Sequence, residues 1–293
     1  MDAAEGSAER WRQAGRLVEA AGAQVFLRQT GAGAPLLLLH AYPTASWGFH
    51  KLWPELGRRY AVIAPDLPGS GFSEKPPGGD FHIGRLADVA EALLADLGVS
   101  RLHVLAHGYA SSVGQELLAR GRLRIDSIAF VSAGLFPEAA HVTAMQRLLL
   151  SPLGPLVTRL APQPYGAFRR TFSKSFGAAS RPSEAELRAV WTLLRHNGGQ
   201  RSVPRVIGYL RERQALAARL VGALEDSAVP MALLCPPGDV LSGAAVIEVW
   251  RRRLPGRPVY LLPAGIGHYP PLECPQALLE AYADFRQALR GAL

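Results

Sequence analysis

Leu105-Ala106-His107-Gly108-Tyr109-Ala110-Ser111-Ser112-Val113-Gly114-Gln115-Glu116-Leu117-Leu118 is the stretch that decides the architecture. Leu102–Ala106 is a short apolar run suited to a buried strand, and Ser112–Ala119 carries the spacing of a helix. Only a few residues join them. A strand that turns at once into a helix needs small residues, because its backbone bends sharply and the helix packs close beneath it. Ala106 and Ala110 are suitably small. The apex of the turn falls on Gly108, which has no side chain with which to attack anything.

Working outward, Gln24–Arg28 and Pro35–Leu39 read as adjacent strands, bounded by Gly31 and Gly33 and preceded by a polar leader. Tyr60–Ala64 is a further strand that runs into the glycine-rich turn Asp66–Ser73. Ile83–Leu97 has the apolar spacing of an amphipathic helix, and Ile125–Ser132 is the strand that follows the decisive stretch. Alternation of this kind predicts an α/β domain with a mostly parallel sheet and helices on both faces. It stops for about ninety residues, which read as helices with proline-rich joints at Pro152, Pro155, Pro162, Pro164, Pro182 and Pro204. Alternation resumes with strand Met231–Cys235, helix Ala244–Arg253, strand Val259–Leu262 and helix Pro275–Leu289. The expected division is therefore a core of residues 1–136 and 229–293, with an inserted helical cap over 137–228.

With 48% apolar and 19% charged residues, the chain has the balance of a globular protein with a substantial core, not of a disordered one. Cys235 and Cys274 form no CxxC spacing, so neither a disulfide framework nor a zinc site is expected, and no metal or other cofactor is implied. Met1–Glu5 opens with acids and lacks the pattern of a signal peptide, and no apolar run is long enough to span a membrane. A cytoplasmic location is expected. The net charge of +8 is concentrated between Glu138 and Pro230, where 13 Arg or Lys face 6 acids. Their even spacing reads as a solvated surface, with an anionic ligand or an acidic partner as the alternative, and no basic stripe with interleaved aromatics suggests nucleic acid. The expected partner is a small-molecule ligand.

Several stretches carry a resemblance along nearly the whole chain: His40-Ala41-Tyr42-Pro43-Thr44, the Asp66–Pro76 turn, Val113–Leu118, Leu135-Phe136-Pro137-Glu138, Arg181-Pro182-Ser183-Glu184, Tyr209-Leu210 with Arg213, and Gly267-His268-Tyr269-Pro270. In these the chain resembles the epoxide hydrolase and haloalkane dehalogenase branch of the α/β hydrolases. That fold keeps its nucleophile on an elbow of pattern G-x-Nuc-x-G, followed in the chain by an acid and then a histidine.

The resemblance implies that the histidine is His268 and the acid Asp239, although a one-residue shift of register would put Gly238 at that place instead. Such a carboxylate fixes the imidazole tautomer and stabilises its protonated form, which makes the histidine a usable general base. The family's His-Gly-x-Pro motif appears as His40-Ala41-Tyr42-Pro43, which implies backbone N–H donors at Tyr42 and Tyr109 for a developing oxyanion. Ala41 replaces a glycine there, which raises the question of an unusual backbone angle. Epoxide hydrolases of this type protonate the leaving oxygen with cap tyrosines, so Tyr209 and Tyr165 are candidates. Where the family has Asp-Tyr-Gly-Asp, this chain has Gly108-Tyr109-Ala110-Ser111, and both acids are lost.

Three readings follow. The first is a non-covalent enzyme of hydrolase, lyase or cyclase type that retains the His268–Asp239 base and acts on a small, largely apolar molecule. The second is an inactive pseudo-hydrolase that binds a ligand or partner. The third is a hydrolase that uses a nearby serine, although Ser111 and Ser112 are expected rather to cap the helix they begin.

Overall fold

A computed structural model describes residues 7–139 and 142–291, so the Met1–Glu5 terminus lies outside the described residues. Eight strands form one sheet: β1 (Arg16–Ala20), β2 (Ala23–Thr30), β3 (Ala34–Leu39), β4 (Tyr60–Pro65), β5 (Arg101–His107), β6 (Arg124–Val131), β7 (Met231–Cys235) and β8 (Val259–Leu261). Their order is β1-β2-β4-β3-β5-β6-β7-β8. The β1/β2 and β2/β4 pairs are antiparallel and all the others parallel.

Side chains alternate across the sheet with the period of two that a pleated strand imposes. Leu37, Leu39, Val104, Ala106, Ile128, Phe130, Leu233 and Cys235 face one core. The helices Ile83–Asp96, Ser111–Arg120 and Ala244–Arg253 cover it. Leu36, Leu38, Leu105, Ala129, Val131, Ala232 and Leu234 face the other, under Leu56 and the helix Pro275–Gly291. Strands apolar on both faces have to be covered on both, which is why they read as continuous apolar runs.

Two expectations are corrected. The polar leader contains a helix, Ala8–Gln13, capped by the Ser7 hydroxyl, and the edge strand β1. Only Ala20 of β1 is buried, so the strand has no apolar alternation to betray it. β2 and β3 are not neighbours either, because β4 lies between them. Gly31, with φ +73°, makes that crossing feasible: a Cβ on it would lie 2.2 Å from the Gly57 carbonyl oxygen and 2.3 Å from that of Tyr60, so the link passes directly over the start of β4.

Between β6 and β7 the described residues form helices and no strand, among them Ala144–Leu150, Gly154–Leu160, Tyr165–Ser173, Glu184–Arg195, Tyr209–Ala215 and Ala217–Glu225. Ser183 and Glu186 make a reciprocal capping box at the start of Glu184–Arg195, which satisfies two backbone donors that the helix itself cannot. Among the described residues no helix is long and apolar enough to cross a membrane.

Candidate active site

β5 delivers the chain to Gly108, whose φ of +61° lies in the left-handed region, and a 3-10 turn over Gly108–Ala110 leads into helix Ser111–Arg120. The residue at the helix cap is Ala110, and no side chain caps it. Ser111 instead donates from its buried hydroxyl to the Ala106 carbonyl at 3.3 Å. The expected capping role is therefore not found, because Ser111 already stands inside the first turn and turns back to the strand it has just left.

The loop after β8 brings His268 over this turn. Its Nδ1 lies 2.9 Å from Oδ2 of Asp239, so it is Asp239 and not Gly238 that reaches the imidazole. Gly238 has no room for a side chain, since a Cβ there would stand 2.2 Å from the Ala264 carbonyl oxygen. Asp239 also accepts from the Ser242 hydroxyl at 2.5 Å and from the Leu241 N–H at 2.8 Å. Burial by itself would raise its pKa, but the imidazole and these two donors outweigh burial and hold the carboxyl at about 2. An ionised Asp239 accepts a hydrogen bond from Nδ1–H of His268 and leaves Nε2 as the free acceptor.

Three contacts hold the histidine loop in place. The His268 N–H donates to the Ser175 carbonyl at 2.7 Å, and Nε2 of the buried His107 donates to the His268 carbonyl at 2.8 Å. Burial, with the His268 ring beside it, pulls the pKa of His107 down to about 3, so it stands neutral as a donor. Glu273 accepts from the N–H groups of Gly177, Gly267 and Tyr269, each at 2.8 Å, and from the Ser180 hydroxyl at 2.5 Å. It therefore joins the helical block to the histidine loop. Gly267 is required in that seam, since a Cβ would come within 2.3 Å of the Ser175 carbonyl oxygen.

On the opposing wall, Nδ1 of His40 donates to the Ala41 carbonyl at 3.0 Å, and its Nε2 accepts from the Leu67 N–H at 2.9 Å. Asp66 accepts from the N–H groups of Ser46 and Phe72, both at 2.7 Å, which ties this loop to the glycine-rich turn. Ala41 does not adopt the left-handed conformation, so the question raised by the missing glycine is settled. What its methyl group does instead is occupy space. A Cβ built on Gly108 would lie 2.8 Å from the Ala41 Cβ and 3.3 Å from Nε2 of His268.

Gly108, Tyr109, Ser242 and His268 from the sheet side, and Tyr209 and Arg213 from the helical block, line one cavity of about 40 Å³. That is room for roughly one to three waters. Tyr209 also lines an outer cleft of about 630 Å³.

A family model described as the alpha/beta hydrolase fold matches residues 34–260. The chain belongs to the α/β-hydrolase fold family. This α/β hydrolase is similar to the mesoderm-specific transcript protein of Mus musculus, 34% identical over 94% of this chain and 86% of that one. It is also similar to the LipZ protein of Mycobacterium tuberculosis, 36% identical over 94% of this chain and 96% of that one. Among solved structures, a haloalkane dehalogenase DbeA variant from Bradyrhizobium elkanii superposes with a TM-score of 0.80 at 21% identity, covering 95% of this chain and 97% of the other. At that identity the likeness is one of fold.

Not every residue singled out in the sequence of this α/β hydrolase comes to the cavity. Tyr165 does not: its hydroxyl donates to Oε1 of Glu184 at 2.6 Å near the surface, and its ring packs on Trp191. Tyr209 does, with its ring 5.4 Å from that of Tyr109. Arg213 is the residue that reading by charge placed wrongly. It was one of the 13 basic residues taken as a solvated surface, yet it is 5% exposed and lines the cavity. The signal lay in its spacing, since Arg213 follows Tyr209 by four and so shares its helix face. Ser242, whose hydroxyl holds Asp239, was not singled out in the sequence.

Proposed function

We propose that this α/β hydrolase is a non-covalent general-base enzyme of hydrolase, lyase or cyclase type, acting on a small, largely apolar molecule under its helical cap. The observation that carries the reading is that Gly108 offers no side chain to His268 and that the two line one small cavity, with room for roughly one to three waters. In a covalent member of the fold the nucleophile would start from that residue. Here the imidazole addresses open space instead, where a water or a substrate atom can sit.

Asp239 orients the ring and stabilises the imidazolium that forms when Nε2 takes a proton. In the hydrolytic form, a water loses that proton to Nε2 as its oxygen bonds to the electrophilic carbon. The leaving oxygen then accepts a proton from the Tyr209 hydroxyl, which is restored from the imidazolium through solvent. The N–H groups of Tyr42 and Tyr109 are the donors for negative charge that develops on oxygen. In the lyase or cyclase form the proton comes from the substrate itself, with no water added. The free thiols of Cys235 and Cys274 accord with a reducing, cytoplasmic setting.

The test is a screen of small apolar epoxides, esters and lactones with the full chain, followed by single turnover of any substrate found in ¹⁸O-labelled water. Label in the first product formed, together with loss of turnover in His268→Ala, is the expected result. Unlabelled first-turnover hydrolysis product would mean an enzyme-bound ester and would overturn the proposal. A binding protein without turnover is the second reading, favoured by the loss of both acids at the elbow, where Gly108 and Ser111 stand. The serine reading ranks third, since the Ser111 hydroxyl turns back to the Ala106 carbonyl.

A further inference from the structure

One fixed charge in the cavity is not used by the chemistry proposed above. Arg213 lies on helix Tyr209–Ala215, with its guanidinium almost wholly buried. Among the described residues it has no carboxylate partner and no hydrogen bond, and its one charge-related contact is the Tyr209 ring, with the guanidinium carbon 5.6 Å from the ring centroid. The adjacent acid, Glu212, faces elsewhere and accepts from the Ile83 N–H. Asp239 is committed to His268, Ser242 and Leu241.

Room for the guanidinium is provided by Gly134. A Cβ on that residue would lie 2.5 Å from Nη1 and 3.2 Å from Nη2 of Arg213. A cation held with little access to water and no counter-ion opposes folding, and here only the face of the Tyr209 ring offsets that cost. Burial accordingly lowers the pKa of this guanidinium. A group of this kind persists where a ligand supplies the missing charge.

We propose that Arg213 anchors an anionic ligand in this cavity, and that the ligand is a small monocarboxylate with an apolar body. The planar fork of a guanidinium matches a carboxylate through two parallel hydrogen bonds. One guanidinium balances one negative charge, and Gln146, Tyr209, Leu210 and Leu241, which share the lining with it, carry none. A phosphate dianion would retain an uncompensated charge there. The inference rests on the reading of this cavity as the substrate site and names the class of substrate that the site takes.

Calorimetric titration of the full chain tests it, with acetate and butanoate compared against acetamide and butanamide, and with inorganic phosphate and chloride as further arms. The carboxylates are expected to bind at least tenfold more tightly than their amides and more tightly than either inorganic ion. Arg213→Met should reduce the carboxylates to the level of the amides and raise the unfolding temperature of the free protein. Gly134→Ala keeps the charge but displaces the guanidinium, and is expected to weaken carboxylates at least tenfold, so the case does not depend on the folding of one variant. Because calorimetry reads binding and not turnover, carboxylate binding is scored whether or not any turnover by His268 is found, which separates this inference from the proposal of catalysis. Absent carboxylate binding, equal affinity for acid and amide, tighter phosphate or chloride, or an affinity unchanged in both Arg213→Met and Gly134→Ala would each overturn it.

Discussion

The methyl carbon of Ala41 stands 2.8 Å from the point at which a Cβ on Gly108 would lie. The two positions are complementary in volume: the methyl group fills room that a side chain on the elbow would need, and the elbow has none. The pair therefore has to be changed together. Gly108→Asp alone is expected to destabilise the protein by about 1–3 kcal/mol through overpacking, and to form no enzyme-bound ester. Aspartate tolerates a left-handed backbone better than most residues, so the obstacle is the methyl group and not the φ of +61°. Ala41→Gly with Gly108→Asp should recover most of that loss. Denaturant midpoints of the two variants, and mass spectrometry for an ester on residue 108 with reactive epoxides, check both halves.

The Asp239 carboxyl gives stability a defined pH window. Its folded pKa of about 2 lies below its ordinary value of 3.8, so the folded state holds the ionised form more strongly than the unfolded chain does. The resulting stabilisation, about 2 kcal/mol, is fully present above about pH 4 and is lost as pH falls toward 2. Urea unfolding between pH 3 and pH 7 should show the gap between the parent protein and Asp239→Asn narrowing at the acid end. A gap independent of pH would contradict the assignment of that charge.

Ser242 acts on the imidazole at one remove, as a positioning residue. Removing its hydroxyl takes one of three donors from Asp239. Ser242→Ala is expected to cost about 1–2 kcal/mol, the range for a hydrogen bond to a charged group. It should also raise the Asp239 pKa and so move the acid limb of stability toward neutral pH. Unfolding free energies measured over the same pH series detect that shift, which a packing defect alone would not produce.

Tyr165 and Tyr209, the two tyrosines of the helical block singled out in the sequence, should separate cleanly. Tyr165→Phe loses a hydrogen bond near the surface and is expected to change stability by no more than about 0.5 kcal/mol, with turnover unaltered. Tyr209→Phe should lower turnover of any substrate found by about 10² while the fold is retained, as measured by steady-state kinetics beside circular dichroism.

Local chemistry governed what the sequence could tell. The strands that carry Leu36–Leu39, Val104–Ala106 and Leu233–Cys235 are apolar on both faces, so they stood out by composition alone. The pairing of His268 with Asp239 was legible only through the family resemblance, which left Gly238 open, and it is Asp239 that lies 2.9 Å from the ring. β1 was invisible because an exposed edge strand needs no apolar pattern. The passage of the β2–β3 link over β4 depends on a contact between Gly31 and Tyr60, residues that show no relation in sequence. Arg213 and Tyr165 failed for one reason: charge and aromatic character are the same on either face of a helix, and only the packed structure says which face is turned inward.

The seam made by Glu273 has a mechanical meaning. Because a single carboxylate grips Gly177 and Ser180 on one side and Gly267 and Tyr269 on the other, the helical block cannot lift from the histidine loop without breaking the hydrogen bonds from Gly177 and Ser180 to Glu273 and the one from the His268 N–H to the Ser175 carbonyl. This edge behaves as a clamp. Tyr209 lines both the outer cleft and the inner cavity, so it stands between the cleft and the base. The clamp keeps the base aimed at the space above Gly108.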